Sequence, residues 1–220
     1  MASSTVRTMG TSGSGESEPA GPGHHGTGIY IAFVPWVLFG VISRADTLEA
    51  AAIVALVAAI AIAVPGFRAG RPKVLELGAI VAFAGFTVVT LVADPSVTTW
   101  LERYARAIAA SLLALIAFGS LALTPFTEQY ARESVPRKFW SSPRFKQVNR
   151  DLSLMWALVF LAMVPSHIAA GIIDTRRGNT IFNWVIPIAL VVYAAKRTGR
   201  ATASEDNPPR ATTTARERRR

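Results

Sequence analysis

Residues 74–93 read VLELGAIVAFAGFTVVTLVA, twenty positions in which Glu76 is the one ionisable side chain. Wound as a helix at 1.5 Å per residue, such a run is about 30 Å long, the thickness of a bilayer's hydrocarbon core. In lipid no water is present to bond the backbone, so a segment of this kind satisfies its own N–H and C=O groups as a helix. Five similar apolar blocks lie outward from it, at 29–43, 49–64, 104–124, 152–173 and 181–195. The expectation is an all-α, polytopic transmembrane helix bundle of about six spans within residues 28–197. The first and last blocks are short, near 15 residues or about 22 Å. The first pair is also readable as a re-entrant hairpin, which would lower the count.

The punctuation between blocks is helical. Asp46 and Glu49 are spaced as a capping box opening the second block. Pro65-Gly66, Asp94-Pro95 and Thr124-Pro125 are expected to stop the second, third and fourth. Ala51, Ala55, Ala59 and Ala63 recur every fourth residue, and Gly78/Ala82 and Ala110/Ala114 repeat that spacing. Small stripes let helix backbones approach closely in lipid; the plainer reading is an Ala-rich chain.

Residues 1–27 are mostly Ser, Gly, Thr, Pro and Glu with a lone Arg7, and no cleavable signal peptide is expected there. They and the basic stretch 198–220 are expected to be disordered tails. The absence of cysteine excludes disulfides, thiolate metal sites and Cys nucleophiles. The net charge of +9 is explained by topology, because cytoplasmic loops collect Lys and Arg and lipid headgroups are anionic. Distributed over six spans, 18 of the Lys and Arg fall on one side and 5 on the other. Without the tails the count is 9 against 5, so both termini are expected in the cytoplasm.

Residues 125–151, PFTEQYARESVPRKFWSSPRFKQVNRD, are expected to form a basic cytoplasmic loop. Arg137, Lys138, Arg144 and Lys146 are interleaved with rings, among them Trp140, a mixture suited to the headgroup layer. The plainer reading is a solvated connector. No nucleic-acid module surrounds it, and nucleic acid is not an expected partner. Within the spans, His167 follows Pro165-Ser166, Asn183 and Trp184 open the last block, and Arg106 lies near the same end. Intramembrane polar groups are expensive, which makes His167, Asn183 and Arg106 a candidate polar cluster; a histidine simply bonded to a neighbouring helix is the plainer account. Glu76 and Arg106 each lie within one turn of a membrane surface, can snorkel and are read as topological. No nucleophile elbow, P-loop, dinucleotide fingerprint or zincin pattern occurs, and His24-His25 alone make no metal site. No enzymatic activity, cofactor or metal is expected.

Several pieces resemble the intracellular septation protein A family of small bacterial inner-membrane proteins: PWVLF (35–39), DTLEAA (46–51), DPSVTTW (94–100), SLMWALVFLAM (153–163) and NTIFNW (179–184). The family pattern has an Asn where this chain has His167, eleven residues after Trp156, and polar groups near Ile186 and Ile188. The first part of the basic loop and both tails lie outside the likeness. The resemblance implies a non-enzymatic scaffold in the bacterial cytoplasmic membrane, contacting anionic lipid and membrane proteins of cell division or envelope synthesis. The alternative is a small transporter or channel.

Overall fold

The computed structural model describes residues 27–43 and 47–203, and in it the twenty-residue run of departure is a single helix, α4 (Val74–Val92). The other helices are α1 (Thr27–Ala32), α2 (Val34–Ile42), α3 (Leu48–Arg68), α5 (Pro95–Ser120), α6 (Phe126–Ser134), α7 (Pro143–Ile173), α8 (Arg176–Thr180) and α9 (Ile186–Ala203). A 3-10 turn at Arg137–Phe139 precedes α7, and a π-helical turn at Ile181–Val185 joins α8 to α9. Arg7, His24-His25, Arg44, Asp46 and residues 204–220 lie outside the described residues.

The chain is a helical membrane protein. Among the described residues four stretches are long and apolar enough to cross a bilayer: α3, α4, α7 and the run Arg176–Ala201. The remaining two expected segments have a different form. The first is divided at Phe33 into helices of 6 and 9 residues. The fourth starts at Pro95 instead of residue 104 and so takes Glu102 and Arg103 into α5. Pro95 does not leave a loop behind it, because a proline at the first helical position gives up an N–H that has no partner there anyway.

Other boundaries also move. Pro65-Gly66 does not stop α3. The helix absorbs the proline in its last turn and ends at Gly70, which takes the left-handed conformation (φ 65°). Arg71 N–H then donates to Gly66 O and Gly70 N–H to Phe67 O, the paired bonds of a Schellman end. At the start of α3 the capping position is Thr47, one residue past the expected one, and its hydroxyl donates back to Ile42 O at 2.5 Å. At the C-terminal end, 198–203 is helix, not tail: Thr198 Oγ1 accepts from the Trp156 indole at 3.1 Å.

The interior is built of small residues and rings. Ala51, Ala55, Ala59 and Ala63 are all buried, as are Ala110 and Ala114, so the stripes are packing surfaces. A methyl on Gly78 would lie 2.4 Å from Ile116 Cδ1, which shows how closely α4 approaches α5. Phe33 stacks on Trp156 at 5.2 Å and meets Phe126 and Phe160 edge-on. Val81, Val92, Leu115 and Ile172 point outward on the same helices, the arrangement expected when the surrounding medium is acyl chain.

Candidate polar sites at the two ends of the bundle

The end of α7, the start of α5 and the π-helical turn converge at one end of the bundle. There the structure brings the expected trio together. His167, buried near the end of α7, has its Nδ1 2.6 Å from Asn183 Oδ1. Asn183 Nδ2 in turn donates to Asn179 Oδ1 at 2.6 Å. That orientation makes Asn183 Oδ1 an acceptor, so the imidazole carries its proton on Nδ1. Ser166 Oγ donates to Phe182 O at 2.7 Å, taking up a carbonyl that the wider π-helical winding turns towards α7.

Arg106 does not snorkel. Its Nε donates to Gly40 O at 3.0 Å and its guanidinium also bonds Ser43 O, so it caps the last carbonyls of α2 from α5. Its guanidinium carbon lies 5.9 Å from the centre of the Trp184 ring. Arg103 pairs with Asp174 at 2.9 Å; Asp174 is the left-handed residue that ends α7. Between these groups is a cavity of about 680 Å³, walled by Ser43, Arg103, Arg106, Arg176, Asn183 and Trp184 among others.

The opposite end holds a second polar group, which sequence reasoning missed. Glu76 is buried (5 % exposed), not snorkelling. Its Oε1 lies 3.4 Å from Lys73 Nζ and 3.5 Å from the Tyr130 hydroxyl. Lys73 also pairs with Glu133 at 2.8 Å and sits 4.4 Å above the Tyr130 ring. Burial, reinforced by the carboxylates of Glu76 and Glu133, pushes the Tyr130 phenol upward, which keeps it a neutral donor. The i, i+3 spacing of Lys73 and Glu76 was the available signal; Tyr130 and Glu133 join them only through tertiary packing.

Comparison with protein-family models, curated proteins and solved structures finds no match. The site is therefore argued from its own residues.

The expected basic loop is mostly helix. Phe126, Tyr130 and Phe145 are core residues and not rings at a lipid boundary. α6 is fastened to three helices. Phe126 N–H donates to Ser120 Oγ of α5 at 3.1 Å, and Thr127 N–H to Ser153 Oγ of α7 at 3.2 Å. These are first-turn amides with no intrahelical partner. Thr127 Oγ1 donates to Asn149 O at 2.6 Å, and Gln129 Oε1 accepts from Val74 N–H at the start of α4 at 2.9 Å. What remains on the surface is the smaller group expected for the headgroup layer. Arg137, Lys138, Arg144 and Lys146 are exposed, as is Phe139. Trp140 is half-buried, its indole donating to Val135 O at 2.8 Å with Arg132 and Arg137 over its ring.

Proposed function

We propose that this chain is a scaffold of the septation protein A type in the bacterial cytoplasmic membrane. It crosses about six times, keeps both termini in the cytoplasm and catalyses no reaction. Its basic end rests on anionic headgroups and meets membrane proteins of cell division or envelope synthesis. The observation that carries the reading is the fastening of α6: Ser120, Ser153 and Gln129 turn a basic connector into a fixed plate, and a plate holds Trp140 and its flanking cations in one geometry. The sixfold count rests on the broken first segment. At its start a methyl on Gly28 would lie 3.2 Å from the Glu133 carboxylate, and at its end Gly40 and Ser43 meet Arg106, so α1 and α2 together run between the two polar ends.

The test is a photocrosslinker placed at Phe139, with Leu115 on the lipid face as control, in living bacterial membranes. Division or wall-synthesis proteins should be captured at Phe139 and not at Leu115. Changing Arg137, Lys138, Arg144 and Lys146 together to Gln should lower that capture strongly, since each surface cation contributes up to about 1 kcal/mol. Capture that is equal at both positions defeats the scaffold reading. One observation favours the second reading, a small transporter or channel: the polar cavity at the Arg106 end.

A further inference from the structure

We infer that Glu76 is a proton-binding site, and that the proton it carries on Oε2 latches α6 to the ends of α3 and α4. Glu76 is 5 % exposed, and its Oε2 has no hydrogen-bond partner among the described residues. The contacts of Oε1 are both long, 3.4 Å to Lys73 Nζ and 3.5 Å to the Tyr130 hydroxyl. Bonds to a carboxylate are ordinarily shorter, at about 2.5–2.9 Å. Lys73 makes its shorter bond to Glu133 instead, at 2.8 Å. Two carboxyl groups therefore share one ammonium, and Glu76 is the more distant of them. As an anion it would be a buried charge with one oxygen bare, a costly state. As a neutral acid it leaves Lys73 and Glu133 a balanced pair, and the weak bonds to Oε1 suffice.

The surroundings supply an acceptor for the proton. A methyl on Gly66 would lie 3.2 Å from Glu76 Oε2 and 3.2 Å from Arg71 O, so both oxygens border the same small space at the end of α3. Two acceptors repel there, whereas a proton on Oε2 makes one of them a donor. Lys73 at the start of α4 and Glu133 on α6 are the charged side chains of the cluster, and Tyr130 is its remaining titratable one. Arg68 and Arg71, at the end of α3, are exposed. Burial and Glu133 hold the Tyr130 phenol neutral even when Glu76 is uncharged. Loss of the proton places an unpaired charge where α3, α4 and α6 meet, and α6, the shortest of the three, is the one that can lift to admit water. The folded chain binds one proton more than the unfolded one, so this stabilisation is complete in acid and is lost as pH rises. Its use as a control on the plate rests on the scaffold reading; the proton itself does not, and its test involves no partner.

The experiment takes the full chain in dodecyl maltoside and records the parent-minus-Glu76→Gln infrared difference spectrum at neutral pH. Glutamine has the shape of the acid and cannot ionise. The difference should contain the carbonyl stretch of a carboxylic acid, and in the parent that band should fade as the buffer is made alkaline. Melting temperature is the second readout. Between about pH 6 and pH 9 the parent should lose about 2–4 °C more than Glu76→Gln. Trypsin cutting between Arg132 and Lys146, taken as the ratio of parent to Glu76→Gln, should rise several-fold over the same range. Should Glu76→Gln fail to fold, the band in the parent and its loss in alkali still decide, because exposed carboxyl groups are ionised at neutral pH. A parent without the acid band overturns the proposal. So does an acid band with melting and cutting that follow the same pH course in both proteins, which would leave a proton that latches nothing. Failure of capture at Phe139 with the band present counts against the scaffold alone.

Discussion

His167 faces a choice that lipid imposes on every polar side chain: find a partner or be penalised. It has found Asn183, 2.6 Å away on the neighbouring π-helical turn. If that bond is its whole role, asparagine should replace it, because an amide keeps one donor and one acceptor. His167→Asn should hold membrane abundance near the parent level. His167→Leu should lower it, by the about 1 kcal/mol that an interhelical bond contributes in lipid plus the cost of orphaning Asn183. Quantitative blots of membrane fractions and rescue of a deletion phenotype are the readouts. Normal abundance with lost rescue in both variants would remove the structural account and favour a proton-carrying role, since neither replacement titrates near neutrality. Glu76 shows the opposite lesson. Position along a helix fixes how near a membrane surface a side chain lies, but not whether it turns outward to water or inward to Tyr130.

At the scale of elements, the seat of α6 makes the sharpest claim. Ser153 is fully buried and is the acceptor for Thr127 N–H, so Ser153→Ala leaves a buried amide without a partner. The expected cost is about 1–3 kcal/mol. Thr127→Val removes a donor but leaves no orphaned amide, and should cost less. Thermal unfolding in detergent gives the order, and trypsin should cut the Ser153→Ala variant faster between Arg132 and Lys146. Two variants that melt and resist trypsin like the parent would show that α6 is not held by these bonds. This is also where the sequence was least informative. Hydropathy made the membrane helices legible because lipid demands about twenty apolar residues of any crossing. Four-residue spacing made the alanine stripes legible for a similar reason, as only small residues allow that approach. The region 125–151 has neither signature. Its alternation of ring and cation suits a headgroup-layer strip and a docked amphipathic helix equally, and partners 22 to 55 residues distant decide between them. Similarly, the trio His167, Asn183 and Arg106 was readable from depth along the spans, while the Arg103–Asp174 pair depends on a helix end whose position no local pattern encodes.

For the molecule as a whole, the arrangement of charge sets the side on which each end lies. Omitting the tails, nine Lys and Arg among the described residues stand on the side of Lys73 and Arg137 against four, Arg103, Arg106, Arg176 and Arg177, on the other. Short-loop Lys and Arg resist translocation, and the proposed orientation therefore puts the Arg137 side in the cytoplasm. The chain's freedom from cysteine makes this assignment directly measurable, because single cysteines need no background removed. Ser96→Cys and Thr175→Cys, exposed at the Arg106 end, should react with an impermeant maleimide in spheroplasts. Ser134→Cys and Ser141→Cys, exposed at the Tyr130 end, should react only after permeabilisation. Ser12→Cys tests the first segment. If α1 and α2 cross together, Ser12 lies on the cytoplasmic side with Ser134 and is protected. If the break at Phe33 folds the segment back as a hairpin, Ser12 lies with Thr175 and reacts from outside. A reporter fused after Arg200 gives the matching answer for the other terminus. Labelling of Ser134→Cys before permeabilisation would invert the whole assignment. Labelling of Ser12→Cys alone would leave the orientation intact and reduce the crossings to five.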